Sequence, residues 1–155
     1  MVQSPSSNLP EMPVSFSGAW IVDMSKSTFS GPKPATMRLT IEHRDPELRQ
    51  ELIITKSDGA EDRAVFICRT TGEEGKCLLN GNAVRGHAHW ADHELIIQTW
   101  MKFGELELYF CDCWSLSPDG QTLVMEHRND ILVGQKVILD RISSAVGEDA
   151  IAEPR

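Results

Sequence analysis

Two ionisable side chains interrupt an otherwise apolar face of this chain, and they have the greatest capacity for chemistry. Between positions 105 and 116 the even residues read Leu106, Leu108, Phe110, Asp112, Trp114 and Leu116. The odd residues are polar or mixed: Glu105, Glu107, Tyr109, Cys111, Cys113 and Ser115. A period of two is that of a strand with one buried face, and the apolar set must be that face. Asp112 then points inward, where a carboxylate is costly unless it is paired or protonated. The following segment puts Leu123, Met125 and His127 inside and Val124, Glu126 and Arg128 outside. Asp112 and His127 lie at similar distances from the turn that joins the two segments, so they meet at one level. A carboxylate beside an imidazole raises its proton affinity and fixes its tautomer. Such a pair can move a proton on a bound substrate or hold a hydroxyl or carbonyl. The competing reading is a structural Asp satisfied by a neighbouring Trp, His or Arg.

The same alternation supplies the rest of a candidate lining. Phe110, Trp114, Leu123 and Met125 flank the pair. Gln135 faces inward from the last segment, with Val133, Val137 and Leu139, and the second segment contributes Met37, Leu39, Ile41 and His43. A mostly apolar lining with a few placed polar groups is the usual make-up of a small-molecule site. Asp112, His127, Gln135 and His43 are the polar anchors it offers.

A second constellation is His87-Ala88-His89. With Gly81 and Glu94 it reads Gly-x5-His-x-His-x4-Glu, similar to the first metal-binding motif of cupins. Two imidazoles at i and i+2 plus a carboxylate could hold a divalent metal. No glycine follows Glu94, however, and no second motif supplies a third histidine. Ala88 and Trp90 make the better core face, which turns both histidines outward. No metal and no cofactor is expected. Cys111-x-Cys113 is too tight for a zinc knuckle. The four cysteines are expected as free thiols, with a Cys68–Cys77 bridge open only to an oxidising compartment.

These residues need elements to position them. The body of the chain is a run of short period-two segments: 17–24, 35–43, 49–56, 62–70, 76–79, 83–90, 93–101, 105–116, 121–129 and 132–141. Turn chemistry separates them at Ser57-Asp58-Gly59, Gly72-Glu73-Glu74-Gly75, Asn80-Gly81-Asn82 and Ser117-Pro118-Asp119-Gly120. About ten strands with short hairpins and no helical crossover predict an all-β, antiparallel up-and-down barrel around a central cavity. Residues 1–15 read as a disordered arm, 16–141 as the barrel, and 142–155 as a flexible tail.

Gly18-Ala19-Trp20 opens the first segment and Arg141 closes the last. A Gly-x-Trp at the first strand with an Arg at the last resembles the signature of lipocalin or calycin barrels. That resemblance implies that Trp20 plugs the closed end and Arg141 packs across it. Longer phrases add to it: Gly18-Ala19-Trp20-Ile21-Val22-Asp23-Met24-Ser25-Lys26-Ser27, Met37-Arg38-Leu39-Thr40-Ile41-Glu42, Ala88-His89-Trp90, and Trp114-Ser115-Leu116-Ser117-Pro118-Asp119-Gly120-Gln121-Thr122-Leu123. In this order they resemble a family of small bacterial lipocalin-like proteins. The family implies a lipocalin-like barrel with a cavity, and a longer first loop, here 25–34, acting as a lid. It implies no catalytic residues.

Length and charge set outer bounds. At 155 residues the chain makes one domain with a substantial core. A net charge of −8 argues against nucleic acid and anionic membrane surfaces as partners. No apolar run approaches a membrane span, and the N-terminal residues lack the charge and apolar run of a signal peptide, which points to the cytoplasm. The sequence leaves room for a homodimer. The first expectation is therefore binding of a small hydrophobic molecule in the barrel. The alternatives are a cofactor-free isomerase or cyclase using Asp112 and His127, and a cupin-like metal enzyme.

Overall fold

A computed structural model describes residues 14–129 and 134–143. Ten strands follow one another: β1 (Gly18–Val22), β2 (Thr36–Arg44), β3 (Glu47–Thr55), β4 (Glu61–Arg69), β5 (Gly75–Leu79), β6 (Asn82–Ala91), β7 (Glu94–Phe103), β8 (Leu106–Leu116), β9 (Thr122–Asn129) and β10 (Gln135–Ser143). Each pairs antiparallel with its neighbour in sequence, and β1 also pairs with β10, which closes the barrel. No helix among the described residues is long and apolar enough to cross a membrane. The all-β, up-and-down barrel expected from the alternation is the architecture observed.

Hairpin chemistry sets the registers. Asn80 (φ 53°) and Gly81 (φ 82°) form the two-residue turn between β5 and β6. Positive φ at both positions is what a primed turn needs to match strand twist, and Asn-Gly tolerates it best. Elsewhere the boundaries move by a few residues. β3 begins at Glu47 because Asp45-Pro46 alone turns the chain and Arg44 pairs with Glu47. The last strand runs to Ser143, past the expected end at Arg141, because Ser143 pairs with Ala19. Its expected start, 132–133, lies outside the described residues, as do nearly all of the expected arm and tail.

The two ends of the barrel differ. One is sealed by large side chains: Phe16, Trp20, Leu95 and Trp114 are at most 2% exposed. Phe16 stacks on His43 and Trp90 and meets Trp114 edge to face. Arg141 lies over the Trp20 ring at 4.3 Å and donates from Nε to the Gly120 carbonyl and from Nη1 to that of Ser17. The Trp20 indole N–H donates to the Phe16 carbonyl at 3.0 Å. At the other end Phe103 and Leu106 on the rim are 55% exposed. The segment expected as a lid is tied to β10 over its first half. Thr28 bridges to Lys136, the Ile138 N–H donates to Ser27 Oγ, and Phe29 packs against the core.

Candidate functional site

The β8–β9 hairpin builds the centre of the site. Its register sets Asp112 directly opposite His127, with Trp114 opposite Met125 and Phe110 opposite Asn129. One face of the hairpin turns into the barrel, so the two ionisable groups meet on its inner wall. The His127 Nδ1–H donates to Asp112 Oδ1 at 2.7 Å. That hydrogen bond holds the imidazole pKa above its ordinary value; burial opposes the shift and the Asp112 charge adds to it. The ring stacks on Phe110 with centroids 5.8 Å apart. Its other nitrogen, Nε2, lies 3.4 Å from the Asn129 amide nitrogen. With Nδ1–H given to Asp112, Nε2 is the acceptor nitrogen, and the Asn129 amide donates to it.

Neighbouring strands complete the wall. On β7, Thr99 is a buried polar residue and pairs with Phe110. On β10, Gln135 pairs with His127 and its Oε1 accepts the Ser30 N–H at 3.3 Å, linking the pair's surroundings to the first loop. Phe110, Met125 and Gln135 are half-buried around the pair. Trp114 and Leu123 lie fully inside the packed core below it.

The second segment's residues stand apart. Met37 and Leu39 are packed in the core, and Leu39 is paired with Trp20. His43 faces inward but sits at the sealed end. Its Nδ1 accepts the Phe16 N–H and its Nε2–H donates to Asp45. Both ring nitrogens are therefore used within the chain, and the structure does not bring His43 to Asp112 and His127. Two residues beside the pair were not singled out from sequence, Asn129 and Thr99. Asn129 shares the inner face of His127 at i+2, and alternation carried one step further finds it. Thr99 carried no signal beyond its parity.

The histidine motif is on the outer wall. His87 and His89 stack on each other at 5.6 Å, and His87 packs against Trp100. Glu94 instead accepts the Cys113 thiol hydrogen at 3.3 Å. Burial and that carboxylate push the Cys113 thiol up to about 12. Among the described residues, no three His, Cys, Asp or Glu side chains are grouped to hold a metal. All four cysteines are free thiols, and Cys68 and Cys77 are buried.

Two grooves of about 500 and 280 Å³ also lie on the outer wall, between charged side chains of β2–β4 and of β7–β9. Their arginines and glutamates alternate across strands, as a solvated surface does. The interior is different. Side chains that point inside a closed barrel are nevertheless partly solvent-accessible around Asp112 and His127, at 29% and 28% for the pair itself.

No protein-family model matches the chain, and no curated protein matches it. Among solved structures 39 chains match. One is a point mutant of the fluorescent protein UnaG, with a TM-score of 0.55 and 14% sequence identity over 81% of this chain and 95% of that one. At that identity the likeness is one of fold, a closed antiparallel β-barrel.

Proposed function

We propose that the chain binds a small, mostly apolar molecule inside the barrel and holds that molecule's polar group with Asp112 and His127. One contrast carries the reading. The two carboxylates are alike in exposure, Asp45 at 33% and Asp112 at 29%, but the His43 imidazole at the sealed end is 1% exposed and that of His127 is 28% exposed. The Asp112–His127 pair lies on an inner wall whose neighbours remain partly accessible. A carboxylate–imidazole pair on such an accessible inner wall is placed to meet a ligand.

Native mass spectrometry of the purified protein checks for a carried small molecule, and titration with the neutral dye Nile red measures the apolar site. Saturable one-to-one binding is expected. Asp112→Asn should keep the fold and weaken a hydroxyl- or carbonyl-bearing ligand about tenfold, equal to ~1.4 kcal/mol. Lost stability with unchanged affinity would make the pair structural. Absence of any saturable apolar binding would overturn the reading.

The same geometry supports a second reading, a cofactor-free isomerase or cyclase. Asp112 orients His127 and raises its affinity for a proton, which is the posture of a general base acting through Nε2. Turnover of a candidate substrate that disappears in His127→Gln, with binding kept, would select it over simple binding.

A further inference from the structure

Resting on the reading that the open half of the barrel takes an apolar ligand, we infer that this ligand is uncharged, carries hydroxyl or carbonyl groups along one edge, and is not a carboxylate. The argument starts from the cross-section. In a ten-stranded closed barrel, β8 lies across from β3. The wall made by β7–β10 presents Thr99, Asp112, His127, Asn129 and Gln135. The wall made by β3, β4 and β6 presents Leu52, Ile54, Ala64, Phe66 and Val84 on the inner face, with Gln50 beside Phe66 and Asp62 at the rim as its polar members. The polar side chains are therefore concentrated on the β7–β10 wall, with Gln50 and Asp62 the exceptions across from it. A molecule with a polar edge and an apolar edge matches that division. A chain with one charged head does not.

Charge makes the selection sharper. Among the described strand residues, Arg141 is the one lysine or arginine at an inward position. Arg38, Arg49, Arg63, Arg85 and Arg128 alternate with inward residues and lie on the outer face. Arg141 is at the sealed end, committed to Trp20 and two backbone carbonyls. The one inward cation available beside the space is His127, and Asp112 already neutralises it. A ligand carboxylate would lose its hydration, find no guanidinium, and lie near the Asp112 charge. A hydroxyl or carbonyl loses far less on entry and finds donors and acceptors on the polar wall.

Matched pairs test this: 1-decanol against decanoate, and 2-naphthol against 2-naphthoate, each displacing Nile red at pH 7.5. The neutral member should displace the dye at concentrations at least tenfold lower. Because it is also the more hydrophobic member, the deciding measure is how that ratio responds to charge. Asp112→Asn removes the inner negative charge, and Leu108→Arg adds a cation on the same face two residues beyond Phe110. Each should shrink the ratio at least fivefold by improving carboxylate binding. Should Asp112→Asn fail to fold, Leu108→Arg decides alone. Decanoate binding the wild type as tightly as decanol, or a ratio unmoved in the folded variants, overturns the inference and leaves an apolar site standing. Failure of Nile red and every competitor to bind overturns instead the reading on which it rests.

Discussion

Two carboxylate–imidazole pairs occupy opposite ends of this barrel, and they respond to pH with opposite sign. Asp45 Oδ1 accepts three hydrogens at the sealed end, from His43 Nε2, Thr70 Oγ1 and Trp90 Nε1. Burial pushes its pKa up, but the hydrogen bonds from Thr70, His43 and Trp90 outweigh it and hold the carboxyl below the usual carboxylate range. Its contribution to stability is present above about pH 4, the unfolded value, and is lost as pH falls through the lower folded value. Asp45→Ala leaves three donors without their acceptor and should cost ~1–3 kcal/mol in urea unfolding. His127 behaves in reverse, because its folded pKa is raised. Its contribution is fully present below about pH 6.5 and is lost as pH rises through the folded value. The gap in urea midpoint between wild type and His127→Gln should therefore be wider at pH 6 than at pH 9. A gap that widens with pH would mean that the imidazole gains nothing from Asp112.

At the scale of the strand, alternation determines which way a side chain faces but not how deep it lies. That is why the pairing of Asp112 with His127 was legible in sequence. Both sit on one hairpin whose turn, Ser117-Pro118-Asp119-Gly120, fixes their relative height. His43 shows the limit. Its parity correctly places it inside, yet nothing local reveals that β2 carries it to the sealed end, where Phe16 and Asp45 consume both nitrogens. The Asp45-Pro46 turn was hidden for a related reason. Two residues suffice to reverse the chain there, so the β2–β3 ladder runs right up to Arg44 and Glu47. Gly86 on β6 is a further element-level feature without a sequence signal of its purpose. An added Cβ would sit 2.6 Å from the Gln98 carbonyl oxygen and 2.9 Å from Thr99 Cγ2. Gly86→Ala must push β6 from β7 or displace Thr99, and should cost ~1–3 kcal/mol, as overpacking does. A melting temperature equal to wild type would show that the two strands can separate freely at this point.

Across the whole molecule, closure depends on one ladder between residues far apart in sequence. Trp20 pairs with Arg141 and Val22 with Leu139 on the β1–β10 seam, while every other seam joins consecutive strands. Forming that seam requires nearly the full chain to be ordered first, which predicts folding in the slow range of barrels, milliseconds to seconds. The barrel form itself was readable because ten evenly spaced segments with hairpin turns leave few other ways to bury every inner face. What the interior holds was not readable at the same level, since it depends on which side chains several non-adjacent strands bring to one height. The seam has one more consequence. Because β1 and β10 run side by side, position 14 and position 143 leave the barrel at the same end, and the order in which the ten strands are synthesised is not imposed by their arrangement. A circular permutant that joins those positions through a short Gly-Ser linker and starts instead at Gly59, in the exposed turn between β3 and β4, should fold to the same far-UV circular dichroism spectrum. It should also turn the slow closure of β1 on β10 into a local hairpin and move the late long-range step to the β3–β4 seam.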